Sequence, residues 1–334
     1  MENIRQKLIV SESPHVRQGD TTSGIMLDVI IALIPALVAG IVIFGYRSAV
    51  LAAVCIASSV FGEWVWCKLL KKPSSIGDFS AVVTGLLLAM NLPVTMPFWM
   101  AALGSLFAIV IVKQFFGGLG HNFMNPALAA RAFLLTSWAQ PMTRWVKPFS
   151  KIGIFSNTDA VTSATPLAML KEGAGELPTY MDMFLGRVGG CMGEVSAIAL
   201  IIGAVYLLAR KVISIRIPAS FILTVAVFTF VFGGKNGLFT GDALTHLLSG
   251  GLILGAFFMA TDYATTPCTK MGQIIFGIGC GLLTSIIRIW GGYPEGVSYS
   301  ILLMNVVAPL IDKYVHPKRF GAISKKRGAV QSAE

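Results

Sequence analysis

The sequence predicts an all-α membrane protein that crosses the bilayer about ten times. Of its 334 residues, 55% are hydrophobic and only 13% are charged, whereas a soluble domain carries about 25% charged residues. The apolar residues fall into runs, and about 20 apolar residues suffice to cross a hydrocarbon core about 30 Å thick. The net charge of +10 is spread among these runs. It therefore does not indicate a nucleic-acid-binding surface, and a soluble globular chain is excluded.

Ten apolar segments account for the runs. We place them near 24–45, 49–70, 79–92, 97–115 and 122–138, and then near 191–209, 217–233, 243–260, 272–290 and 298–315. The third ends at Asn91 and Pro93, and the fifth contains Asn125, Pro126 and Arg131. Proline and buried polar groups interrupt membrane helices. The third and fifth segments are therefore predicted to be broken or half-spanning.

These segments divide the chain into five parts. They are a polar N-terminus (1–23), a first five-helix unit (24–138), a loop of about fifty residues (139–190), a second five-helix unit (191–315) and a basic tail (316–334). The first part contains acids, so no cleavable signal peptide is expected.

The distribution of basic residues predicts the orientation. With ten spans, 17 Lys and Arg residues fall on the side that holds both termini and 8 fall on the other side. Lys and Arg accumulate on the cytoplasmic side of membrane proteins. Both termini are therefore expected in the cytoplasm and loop 139–190 outside a cytoplasmic (inner) membrane. Losing one span would invert everything that follows it.

Short matches indicate that the two five-helix units are copies. Three short stretches of the first unit each match a stretch at the corresponding place in the second unit. The matches are Met26-Leu27-Asp28-Val29 with Met192-Gly193-Glu194-Val195, Gly77-Asp78 with Gly241-Asp242, and Met124-Asn125 with Met304-Asn305. Since five spans per unit is an odd number, the copies would lie in opposite orientations. That is the inverted-repeat plan, in which ligand sites lie where discontinuous helices meet.

The cysteines and histidines do not predict a metal centre. The five Cys are an odd number without a Cys-x-x-Cys pair, and the four His are scattered. A disulfide framework, a structural zinc and an iron–sulfur cluster held by this chain alone are not expected.

One motif stands out in loop 139–190, namely Asp159-Ala160-Val161-Thr162-Ser163-Ala164-Thr165-Pro166. It is also compatible with a simple turn, because Asp and Thr side chains bond to nearby backbone amides. Its position in the one long loop, on the side predicted to be external, favours a functional role.

The chain resembles a known family at this motif and elsewhere. Asp159-x-x-Thr162-Ser163-Ala164-Thr165 matches the sequence recognised by extracytoplasmic flavin transferases, except that Ser163 stands where Gly is frequent. Further matches are Ser13-Pro14-His15, Gly120-His121-Asn122-x-x-Asn125-Pro126-Ala127 and Phe258-Met259-Ala260-Thr261-Asp262. The surrounding chain resembles the D subunits of Rnf complexes, which are ion-pumping ferredoxin:NAD⁺ oxidoreductases, and the related B subunits of Na⁺-pumping NADH:quinone reductases. Its short N-terminus favours the Rnf type.

The resemblance implies cofactors and partners. FMN would be joined through its phosphate to the hydroxyl of Thr165, and a non-covalent riboflavin would lie among the helices. Partners would be the A, B, C, E and G subunits, above all the G subunit with its own covalent flavin. A flavin transferase would be needed for maturation, and the pumped ion would be Na⁺ or H⁺. No residue of this chain is expected to be catalytic by itself, because the flavins carry the redox chemistry.

Polar residues within the apolar segments have two interpretations. Charges there are costly and frequently mark ion or proton paths; those concerned are Asp28, Glu63, Arg131, Glu194, Asp242 and Asp262. Acids at helix starts also stabilise the helix dipole, which suits Asp28, Glu194 and Asp242. Glu63 and Arg131 would form either a structural pair or part of an ion path. Asn122, Asn125 and Asn305 would bond either to riboflavin or to backbone groups freed by proline.

Three hypotheses remain open. The first is the flavin-carrying subunit of a ferredoxin-to-NAD⁺ pump, and the second is a quinone-reducing subunit of the B type. The third is a flavin-free channel or transporter, because inverted repeats with broken helices are common there. The motif at 159–165 favours the first two, since a pure transporter does not need it.

Overall fold

The computed structural model describes residues 21–73, 75–150, 163–172, 177–234, 237–293 and 295–315, and its regular structure there is helical. In chain order the helices are α1 (Thr22–Phe44), α2 (Tyr46–Leu69), α3 (Ser80–Met90), α4 (Phe98–Leu106), α5 (Pro126–Ser137), α6 (Ala139–Met142), α7 (Pro166–Glu172), α8 (Tyr180–Leu185), α9 (Ala197–Ala209), α10 (Arg216–Phe232), α11 (Ala243–Leu248), α12 (Leu252–Leu254), α13 (Lys270–Trp290) and α14 (Val297–Tyr314). A 3₁₀ turn (Ile76–Asp78) precedes α3. Two π-helical segments extend α4 (Phe107–Gln114) and α12 (Gly255–Met259).

Three described helices are long and apolar enough to cross a membrane, namely α1, α2 and α13. Shorter apolar helices accompany them at 80–90, 98–114, 197–209 and 216–232. Helix α3 has 11 residues and α5 has 12, well short of the about 20 that a full span needs. The prediction that the third and fifth segments are not plain spans is therefore confirmed.

Two predicted segments have different boundaries in the structure. The eighth, expected as one run over 243–260, is interrupted between α11 and α12, where Gly250 and Gly251 have φ angles of 70° and 65°. Two consecutive left-handed residues end a right-handed helix, and glycine adopts them without steric cost. The sixth segment begins only at Ala197, because the Ser196 side chain caps α9. Glu194 thus lies in the connection before α9, not in a first helical turn as we expected.

Helices α1 and α9 pack closely side by side. A Cβ atom at Gly203 would collide with the backbone carbonyl of Ala32, and one at Gly40 would lie 2.9 Å from Met192. Small residues permit such close approach between membrane helices. At one end of this contact the Asp28 carboxylate accepts from the Tyr206 hydroxyl (2.8 Å) and from Arg210 (3.2 Å). Asp28 therefore lies in the second turn of α1 and joins α1 to α9, and it does not cap a helix.

Three basic residues that the charge count places in loops, Arg47, Lys113 and Arg288, are buried. Arg47 is in the first turn of α2 and donates to the carbonyl of Val94 (2.8 Å). Lys113 lies in the π-helical segment and is 2% exposed. Arg288 lies in the last turn of α13. None of the three contributes a loop charge, so the count falls by one on the side of the termini and by two on the other side, and its bias keeps the same sign.

Candidate functional site

Thr165, the residue expected to carry FMN, lies directly before α7. It is buried, and its hydroxyl accepts a hydrogen bond from the Ala168 N–H (3.3 Å). Just before it, the Ser163 N–H donates to the carbonyl of Trp145 (3.1 Å), and Ala164 is exposed. Asp159 and Thr162, the other residues of the motif, lie outside the described residues.

A small pocket of about 290 Å³ surrounds Thr165. Its walls include the Gly250 turn between α11 and α12 and the carboxylate residues Glu194 and Glu295. The interruption of the eighth segment thus places the backbone of the Gly250 turn next to Thr165. Here the non-helical backbone borders a cavity inside the protein, where its polar groups can be satisfied.

Arg131 is the centre of a buried ionic cluster beside this pocket. Its guanidinium donates to the Asn91 side chain (2.8 Å), to Glu194 (3.4 Å) and, in a very short contact, to Glu295. All these side chains are buried. The cluster joins α5 of the first unit to the connections before α9 and α14 of the second, so one fork of donors holds two buried carboxylates.

The thiol of Cys191 completes the cluster. It donates to the carbonyl of Asn91 (3.2 Å) and lies 3.5 Å from Arg131. The ligand atoms of Cys191, Glu194 and Glu295 lie within 4.8 Å of one another, a spacing that a cation site would also have. Since Arg131 already contacts all three groups, the arrangement is an ion-pair cluster in this structure.

A second buried ion pair lies in the first unit. Lys113 bonds to both carboxylate oxygens of Glu63 (3.0 and 3.2 Å) and to the Ser80 hydroxyl (2.5 Å). The same carboxylate accepts from Gln114 (2.7 Å) and Ser75 (2.6 Å). A π-helical turn presents Lys113 and Gln114 together to Glu63, and such turns are frequent at functional sites.

The Glu63–Arg131 pair that we weighed as one alternative does not form. Each charge has its own partners, which are Lys113 for Glu63 and Glu194 and Glu295 for Arg131. Sequence reasoning missed Lys113 and Glu295 as members of these clusters. A signal for Lys113 was present, because it is a single cation inside an apolar run. Glu295 had no such signal in the short connection before α14.

A larger cavity of about 770 Å³ lies between the two units, towards the end of α1 where Asp28 meets Arg210. It is mostly apolar, and its few polar side chains are contributed by both units: Ser80, Thr84, Lys113, Asn122, Asn125, Thr261, Asp262 and Tyr263. Its mixture of apolar walls with a few convergent polar groups is that of a small-molecule or cofactor site.

The three asparagines meet near this cavity. The Asn125 side chain caps α5 by accepting from the N–H groups of Ala127 (3.0 Å) and Leu128 (3.3 Å), and it donates to the carbonyl of Met259 (3.3 Å). The side-chain oxygen of Asn305 accepts a hydrogen bond from the Asn125 backbone N–H (3.1 Å), which joins α14 to the start of α5. Asn122 lines the cavity. Asn125 thus makes the structural contacts expected around Pro126 while bordering the cavity.

The remaining intramembrane acids make local contacts. Asp242 caps α11 by accepting from the N–H (3.2 Å) and the hydroxyl of Thr245. Asp262 accepts from the N–H of Ala264 and the hydroxyl of Thr265, both at 3.4 Å, and lines the large cavity. Asp242 therefore takes the helix-end position that we weighed for it, whereas Asp262 faces a site.

Comparison with known proteins identifies the family. The model of the NQR2, RnfD, RnfE family matches residues 9–321. This chain belongs to that family. The match covers both units and the loop between them, as the resemblance at the flavin motif led us to expect.

Curated relatives of similar length extend this finding. The chain is 53% identical over 325 residues to the D subunit of the Na⁺-translocating ferredoxin:NAD⁺ oxidoreductase complex of Acetobacterium woodii, covering 96% of this chain and 98% of the relative. It is 49% identical over 321 residues to the D subunit of the proton-translocating ferredoxin:NAD⁺ oxidoreductase complex of Clostridium ljungdahlii (93% and 96%). It is 36% identical to the D subunit of the ion-translocating oxidoreductase complex of Halorhodospira halophila (92% and 94%).

These relatives confirm the resemblance to Rnf D subunits. Their names, however, differ in the ion. The two most similar of the three, at 53% and 49% identity, are named for Na⁺ and for protons respectively. Identity at this level therefore does not assign the coupling ion.

Proposed function

We propose that this chain is the flavin-carrying membrane subunit of an ion-pumping complex that transfers electrons from ferredoxin to NAD⁺. The observation that carries the proposal is full-length similarity to two D subunits named for that reaction, combined with a flavin-transfer motif that ends at Thr165 and departs from the common pattern at Ser163. The chain would work with the A, B, C, E and G subunits. As a subunit of a redox enzyme it would hold cofactors, while the reaction itself takes place on the cofactors.

FMN is proposed to be joined by a phosphodiester to Thr165. The residues here suit such an attachment, because the Thr165 hydroxyl borders a pocket and the neighbouring Ala164 is exposed. A pocket of about 290 Å³ is at the small end of ligand sites, so the ring would extend beyond it. When bound, the flavin supplies one-electron redox chemistry, and the chain fixes its position beside a donor on the G subunit.

Replacing Thr165 with valine tests this attachment. The variant removes the hydroxyl while keeping the branched shape of the side chain. We expect flavin fluorescence of the denatured protein in a gel to disappear completely, in cells that also make the flavin transferase. Thr143→Val, an exposed threonine of the same loop, is the matched control and should leave the band unchanged. A dark wild-type band under these conditions would contradict the proposal.

The large cavity is proposed to hold the non-covalent riboflavin. Its apolar walls suit a tricyclic ring, and Asn122, Asn125 and Asp262 supply hydrogen-bonding groups at its edge. Because α5 and the π-helical segment after α12 both border it, the ring would lie at the junction of the two units.

Filling the cavity should expel this second flavin. Val29 of α1 lines the cavity, and in Val29→Trp we expect the flavin released by acid denaturation to fall at least tenfold, because the indole occupies the space of the ring. Val38→Trp, on an exposed position of the same helix, should keep the released flavin at the wild-type amount. The covalent band at Thr165 should survive in both variants, which separates the two flavin proposals.

The quinone-reducing alternative differs in its partners. It would be favoured if the purified complex reduced quinone with NADH and failed to reduce NAD⁺ with ferredoxin. The names of the relatives support the opposite result. Whether Na⁺ or H⁺ is pumped is measured in the same preparation, by the dependence of the rate on Na⁺.

Ten spans in two inverted units are proposed for the membrane arrangement, with both termini in the cytoplasm and 139–190 outside. Three observations support it. The segments equivalent by sequence, α1 and α9, pack together, and the matched Asn125 and Asn305 meet. In each unit an aspartate lies before a short helix and accepts a hydrogen bond from a nearby hydroxyl. Asp78 accepts from Ser80 in the first unit, and Asp242 accepts from Thr245 in the second.

A further inference from the structure

A second cavity, of about 570 Å³, lies at the same end of the molecule as Thr165. It is bounded by α7, α11 and the C-terminal ends of α10 and α13. Two cationic side chains, Lys171 and Arg288, line it together with the imidazole of His246. No acidic residue is among the described residues that line it. The cavity is therefore built for an anion.

The charge of Arg288 is the main feature of this cavity. The residue is 3% exposed, and its guanidinium donates only to backbone carbonyls, those of His246 (2.5 Å), Ser249 (3.1 Å) and Gly250 (3.1 Å). It forms no ion pair with any described residue. Carbonyl groups satisfy its hydrogen bonds without neutralising its charge. The carboxylates of Glu194 and Glu295 act on this charge only from beyond ion-pair distance, and both are paired with Arg131. Arg288 therefore lacks a direct counter-ion among the described residues, and such burial is costly.

Two buried nitrogen atoms at the cavity have no hydrogen-bond partner within the described part of the chain. They are Nε of Arg288 and Nδ1 of His246. Buried polar atoms are nearly always bonded, so each such exception needs an explanation. A ligand with several oxygen atoms would provide hydrogen-bond partners for both nitrogen atoms.

The acids near the cavity are already engaged. Asp242, at the start of α11, is bonded to Thr245. Glu194 and Glu295 lie beyond the Gly250 turn and are paired with Arg131. On the remaining side, the Lys171 ammonium reaches the cavity wall, where it donates to the carbonyl of Gly291. Besides Arg288, the one charged side chain among the described residues that line the cavity is thus Lys171, which is positive.

The outer edge of the cavity is aromatic. Phe232 lines it and is 43% exposed. It lies against Trp290, which is 62% exposed, with ring centroids 6.2 Å apart, and both contact Phe228. Exposed aromatic side chains at helix ends mark the membrane–water interface. A basic cavity that opens beside this belt is at the depth of lipid headgroups.

We propose that this cavity binds the phosphate group of an anionic phospholipid. Arg288 and Lys171 would neutralise the phosphate, the free Nε of Arg288 and the imidazole of His246 would bond to its oxygens, and the acyl chains would lie over Phe232 and Trp290. Arginine is well suited to phosphate, because its guanidinium forms charge-assisted and frequently bidentate hydrogen bonds with phosphate oxygens. No covalent step is involved, and the proposal does not depend on a flavin at Thr165.

Lipid retention by the purified complex tests the proposal. After exchange in detergent, the complex is titrated with phosphatidylglycerol or with zwitterionic phosphatidylcholine, and bound lipid is measured by mass spectrometry. We expect preferential retention of phosphatidylglycerol, weakened about fivefold by Lys171→Gln, because one basic residue is removed. Lys270→Gln, at the opposite end of α13 and exposed, is the matched control and should retain lipid as the wild type does.

The outcomes separate the sources of the phosphate. If inorganic phosphate in the millimolar range displaces the lipid or stabilises the complex without it, the ligand is soluble phosphate and the lipid assignment is overturned. Equal retention of phosphatidylglycerol by wild type, Lys171→Gln and Arg288→Gln would overturn the site itself. Loss of the covalent flavin band in Lys171→Gln would assign the cavity to the flavin instead. Arg288→Gln removes buried contacts and so risks misfolding. If it does not fold, the comparison of wild type with Lys171→Gln decides whether the cavity binds the lipid.

Discussion

Arg131→Gln is expected to lower the free energy of unfolding by about 3–5 kcal/mol. The guanidinium is the one described cation within ion-pair distance of either Glu194 or Glu295. Removing it leaves two carboxylates that repel each other within the same buried cluster, and the remaining cation, Arg288, acts on them only from beyond ion-pair distance. The amide of Gln can replace a hydrogen bond but not the charge. The midpoint of thermal unfolding of the purified protein in detergent measures the effect.

Arg210→Gln is the matched control for this variant. Arg210 also pairs with a carboxylate, that of Asp28, but its side chain is 61% exposed. Pairs of that kind contribute about 0–1 kcal/mol. The triple variant Arg131→Gln, Glu194→Gln, Glu295→Gln should recover most of the loss, because neither carboxylate that Arg131 neutralises then carries a charge. A small effect of Arg131→Gln, no larger than that of Arg210→Gln, would contradict the importance of the cluster.

The helices were predictable because each depends on local composition. A run of about 20 apolar residues specifies a spanning helix wherever it packs, and α1, α2 and α13 follow this rule. The interruption of the eighth segment also had a local cause in Gly250 and Gly251. It was missed because two glycines within an apolar run are compatible with a continuous membrane helix, where glycine is common.

The pairing of the buried charges was not predictable, because it depends on chain segments far apart. Lys113 is 50 residues from Glu63, and Glu295 is 164 residues from Arg131. The free-energy cost of placing a charge inside the membrane indicates that the charge needs a partner. It does not indicate which residue that partner is. Thr165 differs, since its expected role follows from a contiguous motif that can be read without knowing the fold.

Lys113→Met is the second variant with a large expected effect, again about 3–5 kcal/mol of unfolding free energy. Lys113 is 2% exposed and Glu63 is fully buried, so methionine removes the charge that neutralises Glu63 while filling nearly the same volume. Gln114 and Ser75 still donate to the carboxylate, but neither carries a charge. Lys68→Met, an exposed lysine on α2 that lies over Trp64, should cost no more than about 1 kcal/mol. Thermal unfolding in detergent compares the two.

The double variant Lys113→Met, Glu63→Gln separates structure from function at this pair. It should restore most of the stability, because a neutral amide can keep the bonds from Gln114 and Ser75. Lys113 and Ser80 also line the large cavity, so we expect the double variant to hold less non-covalent flavin than the wild type despite normal stability. A double variant that regains both stability and flavin would show that the pair is purely structural. One that regains neither would mean that Lys113 packs there for reasons other than its charge.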